Sequence, residues 1–260
     1  MLFNPQRNDY VDTGGPVRYL DDAGLKRPLV APRQQMALMA AFVLVAAVIG
    51  GLLLYSVLGA VSGNAERAQA SVEENLARDV SYDLPVLTSL ATLDDNAIRQ
   101  SFADAGYSTV DLSTQEEFPS GGFELAKLPS DVSTVDAGLM YAQGIAQLSA
   151  ADAARLLKGS WTLTVDRSET LNMNVRYADF SSGSVDAAVQ AAVAAEGFDP
   201  ATVQEDGQGV DEVGNTFMAG TVGIGDATYT WRVSAIALSE VYDISGLPDS
   251  AVYVGIRLTA

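Results

Sequence analysis

The stretch "EDGQGVDEVGN" (205–215) sets Glu205, Asp206, Asp211 and Glu212 among three glycines. Hard carboxylate oxygens on a pliable backbone are what Ca²⁺ takes, so these four acids form the candidate metal loop. Their spacing departs from the EF-hand pattern, and a solvated loop uses the same residue types. A second chemistry open to the chain is an unaided pair of carboxylates, the arrangement that hydrolyses glycosidic bonds. Trp161 and Trp231 are the only tryptophans that would serve it as sugar platforms. Both fall in alternating apolar–polar runs, which predicts core packing for each instead.

Other chemistries are excluded outright. The chain has no Cys and no His. Thiolate nucleophiles, disulfides, Cys- or His-ligated metals, Ser–His triads and imidazole acid–base catalysis therefore cannot exist here. No Gly-x-Ser-x-Gly, Ser-x-x-Lys, Walker loop or Gly-x-Gly-x-x-Gly before a helix occurs either. No catalytic residue and no cofactor is assigned, and the expectation is a protein that is not an enzyme.

Charge says where such a chain works. Of 33 acidic residues only four precede residue 35, against five of the 15 basic ones, so the remainder carries a net −19. A field of that sign repels nucleic acid and anionic head groups and keeps a domain soluble. Between the two regions, "MALMAAFVLVAAVIGGLLLYSVLGAV" (36–61) holds no charged residue. At 1.5 Å per residue a helix of this length outreaches a hydrocarbon core of about 30 Å. It is too long for a signal-peptide h-region, and the Ala68-Gln69-Ala70 site lies well past its end. An uncleaved transmembrane helix over 35–62 is expected. Lys26, Arg27 and Arg33 before it place the N-terminus in the cytoplasm and the rest outside. Ala46 with Gly50, and Ala47 with Gly51, are small-xxx-small pairs of the kind that brings two spans together, so a homodimer through the span is a candidate.

Residues 1–34, with four Pro and a Gly-Gly pair, read as a disordered cytoplasmic tail in which Tyr10, Tyr19 and Leu20 offer a docking motif. Residues 63–80 read as a helical stalk, with Glu74 and Arg78 at i and i+4 and Pro85 barring further helix.

Residues 81–260 read as an extracytoplasmic α+β domain. Helices are predicted in "TLDDNAIRQSFADAGY" from Thr92, "SAADAARLLKG" from Ser149 and "SVDAAVQAAVAAEG" from Ser184, each with an acid in its first turn and a closing Gly. Strands are predicted at 160–167 and 170–180 as a hairpin, and in "NTFMAGTVGIG", "TYTWRVSAIALS" and "SAVYVGIRLT". Residues 95–107 echo 186–198 at an offset of 91, with Ile98/Phe102 and Val189/Val193 on matching core-facing positions. The echo suggests two related α/β-meander halves, 81–148 and 149–260. The expected function is that of a membrane-anchored envelope protein whose outer domain binds another envelope or membrane protein. The alternative is a ligand sensor or a carboxylate-based hydrolase acting on an envelope saccharide.

Overall fold

Uninterrupted by Gly or Pro, residues 64–77 form a helix (α1), the first element of the computed structural model, which describes residues 64–114, 118 and 121–260. The N-terminal tail and the apolar run lie outside the described residues. So do the four positions expected to pair two spans, Ala46, Ala47, Gly50 and Gly51. No helix among the described residues is long and apolar enough to cross a membrane.

Of the stalk expected over 63–80, residues 64–77 are helical, and the second half of that helix packs against the domain. Val72 is buried, the Asn75 side chain donates to the Ala151 carbonyl at 3.1 Å, and the Lys158 ammonium donates to the Leu76 carbonyl. Arg78 is held by Asp131 rather than by Glu74: its Nη1 donates to both carboxylate oxygens at 2.7 and 2.8 Å, and its Nη2 donates to the Arg155 carbonyl at 2.7 Å. An extended strap then leads into the domain. Lys127 Nζ donates to the Ser81 carbonyl at 2.7 Å, Trp161 Nε1 to the Tyr82 carbonyl at 2.9 Å, and the Tyr82 hydroxyl to the Ala178 carbonyl at 2.5 Å.

The elements then run α2 (Leu87–Leu90), α3 (Asp95–Asp104), β1 (Thr109–Asp111), β2 (Gly122–Lys127), α4 (Thr134–Gln143), a 3₁₀ turn (Ile145–Gln147), α5 (Ala150–Leu157), β3 (Trp161–Asp166) and β4 (Asn172–Asp179). They continue with α6 (Val185–Glu196), a 3₁₀ turn (Pro200–Thr202), β5 (Gln208–Val210), β6 (Thr216–Ile224), β7 (Ala227–Ala237), α7 (Leu238–Val241) and β8 (Val252–Thr259). The class is α+β. All eight strands join one antiparallel sheet in the order β1-β2-β3-β4-β8-β7-β6-β5. Two four-stranded meanders thus meet at β4·β8, and a helix precedes each of them, α3 before β1 and α6 before β5. The residue 148/149 boundary falls in the β2–β3 connection, between two strands that pair along their whole length.

Period-two alternation decides which side chains go where. Trp161, Leu163, Val165, Met173, Val175, Trp231, Val233, Val254 and Ile256 share one sheet face, and α2, α3 and α6 close over it to form the main core. Ile98, Phe102, Val189 and Val193 all enter that core, as their spacing predicts. Both helices end alike. Gly106 and Gly197 take left-handed φ values of 78° and 72°. The following Tyr107 and Phe198 amides return to the Phe102 and Val193 carbonyls at 3.0 and 3.1 Å, the long bond of a Schellman cap. Each of those aromatics then meets a tryptophan, Tyr107 against Trp161 edge-on at 6.2 Å and Phe198 stacked on Trp231 at 4.7 Å.

Among the described residues, the opposite face is covered only at one end. There the long β2–β3 and β7–β8 connections meet: Leu128, Val132, Leu156 and Leu157 pack with Leu238, Ala251 and Ala178 in a second core.

Gly220 pairs with Trp231 across β6·β7, and a Cβ there would lie 2.7 Å from the indole and 2.7 Å from Thr202 Oγ1. Gly220→Ala therefore overpacks the core and is expected to lower stability by about 2 kcal/mol in urea denaturation followed by circular dichroism.

Candidate functional site

The uncovered part of the second face carries the polar parity of β4, β8 and β7. Strand register sets Asn174, Arg257 and Arg232 in one row and Arg176, Gly255 and Ser234 in the next. Tyr253 and Ile236 follow in a third row, beside the second core. These side chains line a depression of about 390 Å³, with Asp211 and Asn215 on its rim. Gly255 leaves its floor open, since a Cβ there would meet only Ser234 Oγ at 3.4 Å and Asn174 Oδ1 at 3.9 Å.

Two of the three arginines are fixed by acids. Arg232 Nη2 donates to Asp211 at 2.7 Å, and its guanidinium lies 3.8 Å over the Phe217 ring. Asp211 is itself held by Asn215, whose backbone amide donates to it at 2.9 Å and whose Nδ2 reaches its two oxygens at 3.2 and 3.0 Å. These hydrogen bonds, those from the Asn215 side chain first, hold the Asp211 carboxyl below the usual carboxylate range. Arg176 Nη2 donates to Glu124 at 3.0 Å and to Thr164 Oγ1 at 3.1 Å, while its Nε is buried without a partner.

Arg257 differs. It is exposed, and among the described residues no carboxylate pairs with it. It stands directly across from Arg232, a like-charge juxtaposition that disfavours the sheet.

At the wall, Tyr253 meets Tyr242 edge-on at 5.9 Å. Burial pushes both hydroxyls above their ordinary titration range, and it pushes the neighbouring Tyr141 up to about 12. All three stay neutral at ordinary pH. The arrangement is a preformed depression with one cationic group in excess, flanked by neutral hydrogen-bonding groups and the Asp211 carboxylate, and such chemistry is suited to holding an anion.

The four acids of the candidate metal loop are not brought together around a common point. Glu205, Asp206 and Glu212 are exposed, and β5 runs through the middle of the stretch to pair with β6. Asp211 alone turns inward, toward Arg232 and Asn215. Among the described residues no group of three acidic side chains is placed to hold an ion. Trp161 and Trp231 are both fully buried in the main core, so neither presents a platform to a sugar.

The chain matches no protein-family model, no curated protein and no solved structure. The arginines of the site were within reach of sequence reasoning: each sits on the polar parity of a strand run, in "NMNVRYAD", "TWRVS" and "GIRLT". What pattern alone withholds is the strand order, which makes neighbours of three residues up to 81 positions apart.

Proposed function

We propose that this chain is a bitopic membrane protein, anchored N-terminus-inward by residues 36–61, whose outer domain is a recognition module for another envelope or membrane protein. The open sheet face is its recognition surface. One observation carries the reading: Arg257, with which no acid among the described residues pairs, in a depression of a domain that otherwise has acids to spare. Rigid strands, and the Asp211 and Glu124 clamps, preorganise the neighbouring guanidinium groups, which lowers the entropic cost of binding. The two meanders, each with its preceding helix and matching Schellman cap, are read as a duplication joined at β4·β8. Their unequal insertions, 128–160 and 238–251, build the second core beside the site. The small-residue pairs of the anchor, Ala46 with Gly50 and Ala47 with Gly51, support lateral pairing of two copies.

The depression itself favours a second reading, a sensor of a small ligand, because about 390 Å³ lies within the range of small-molecule sites.

A photo-crosslinking residue at Ser234, in the depression, compared with one at Ala191, exposed on α6, tests the proposal in native membranes. A discrete adduct is expected from position 234 and not from 191. Equal, diffuse labelling from both positions counts against a recognition face on the sheet.

A further inference from the structure

We infer that the depression on the open sheet face is a binding site for a single carboxylate borne on a short carbon skeleton, with Arg257 as its principal anchor. The inference rests on the recognition reading and names its ligand chemistry.

Charge decides the anion's valence. Glu124 offsets Arg176 and Asp211 offsets Arg232, so the site carries one uncompensated positive charge, that of Arg257. A monoanion neutralises it. A phosphate dianion would leave a surplus negative charge beside the rim carboxylate of Asp211, in a domain already strongly acidic.

Geometry agrees. The planar fork of a guanidinium matches the two oxygens of a carboxylate, and such bidentate pairs are the strong ones. Asn174 stands beside Arg257 in the same row and supplies a neutral amide donor. The missing side chain at Gly255 leaves room over the β8 backbone for the body of the ligand, a common reason for glycine inside a strand. Ile236 and the Tyr253 ring close that end with carbon surface, which suits a short aliphatic chain better than a bare inorganic ion.

Such a carboxylate has two sources, a free short-chain acid or the carboxyl terminus of a peptide. The test uses the full-length chain in lipid nanodiscs, its thermal unfolding followed by tryptophan fluorescence at constant ionic strength. Probes are butyrate, N-acetylalanine, inorganic phosphate and sulfate.

A carboxylate at ten times its Kd is expected to raise Tm by about 3 °C, the linkage shift for a domain of this size. Arg257→Gln should abolish the rise, and Arg257→Lys should keep part of it. Gly255→Leu, which fills the floor and leaves every charge in place, should abolish it too. The unliganded Tm of each variant shows whether it folds, and either loss-of-binding variant suffices.

A larger shift from N-acetylalanine than from butyrate supports the peptide-terminus source, and the reverse supports the free acid. A shift from phosphate or sulfate equal to that of the carboxylates overturns the inference while leaving the recognition surface intact. No shift from any probe, or one that survives in both Arg257→Gln and Gly255→Leu, also overturns it. The crosslinking at Ser234 judges the recognition reading separately.

Discussion

Trp231→Ala will lower the unfolding free energy of the domain by about 4 kcal/mol, near the upper end for a large-to-small core change. The indole is fully buried and stacked on Phe198 at 4.7 Å with an interplanar angle of 5°. Its Nε1 donates to the Thr221 carbonyl at 3.2 Å, so truncation also strips a partner from that carbonyl. The surroundings cannot collapse into the void. Gly220 offers no side chain to fill it, and the Phe198 ring is tied by its own amide to the Val193 carbonyl in the cap of α6. Urea denaturation followed by far-UV circular dichroism measures the loss, and the remaining Trp161 reports independently by fluorescence. A loss below about 2 kcal/mol would mean that the second meander does not depend on this ring.

Trp161→Ala is expected to cost a similar amount through Phe102, whose ring it meets at 5.3 Å. It differs in one respect: it frees the Tyr82 carbonyl and loosens the strap. Faster amide exchange around 81–87 should therefore accompany Trp161→Ala and not Trp231→Ala.

Where a single period governs a segment, the chain declares its structure. The runs at 160–167 and 170–180 alternate cleanly and fold as β3 and β4, and the Gly225-Asp226 turn closes the β6·β7 hairpin as its residues predict. Trp161 and Trp231 lie in the core, as their strand patterns predict. The cap of α3 is Asp94, whose side chain accepts from the Ala97 amide at 2.8 Å, rather than Thr92 two residues earlier. A run of three polar residues offers more than one capping register, and only packing of Ile98 and Phe102 selects among them.

The misses have physical causes. Helix α4 carries a regular N-cap, Ser133 accepting from the Asp136 amide, but Val135 and Leu139 are exposed, so its apolar residues do not mark one buried face. Strand β2 buries Leu125, Ala126 and Lys127 in succession, which erases alternation. Lys127 sits there because its ammonium reaches the Ser81 and Gly159 carbonyls, a long-range arrangement invisible to local pattern. Strand β5 spans three residues inside an acidic, glycine-rich stretch and exists because β6 offers it a partner. Reading that stretch for its own ligands missed the role of Asp211, which is to clamp an arginine 21 positions away.

Glu196→Gln will remove a pH-dependent weakness that the wild-type domain carries above neutrality. Glu196 ends α6 with its side chain buried beneath the strap, where Oε2 accepts the Leu87 amide at 2.9 Å. Burial pushes the carboxyl up to about 7 from an ordinary 4.5, against the opposing effect of that hydrogen bond. Tyr177 of β4, which feels the Glu196 charge, is itself raised by burial and stays neutral. Between pH 4.5 and 7 the native state therefore holds a proton that the unfolded chain has released. Stability then falls as pH rises through that window, and the loss is complete above it. The shift corresponds to roughly 3 kcal/mol.

Glutamine keeps an oxygen for the Leu87 amide and cannot ionise. Any cost of burying its NH₂ group is the same at every pH, so the difference between variant and wild type isolates the titration. That difference should move toward the variant by about 3 kcal/mol between pH 4 and 8 in paired urea titrations. A flat difference would mean that the carboxylate stays ionised beneath the strap, and hence that the strap opens to water at neutral pH. The location gives the result its meaning. Ionised Glu196 accepts the Leu87 amide more strongly, but its charge is costly to hold beneath the strap, so the native state loses stability at the point where the strap enters the domain as pH rises through neutrality.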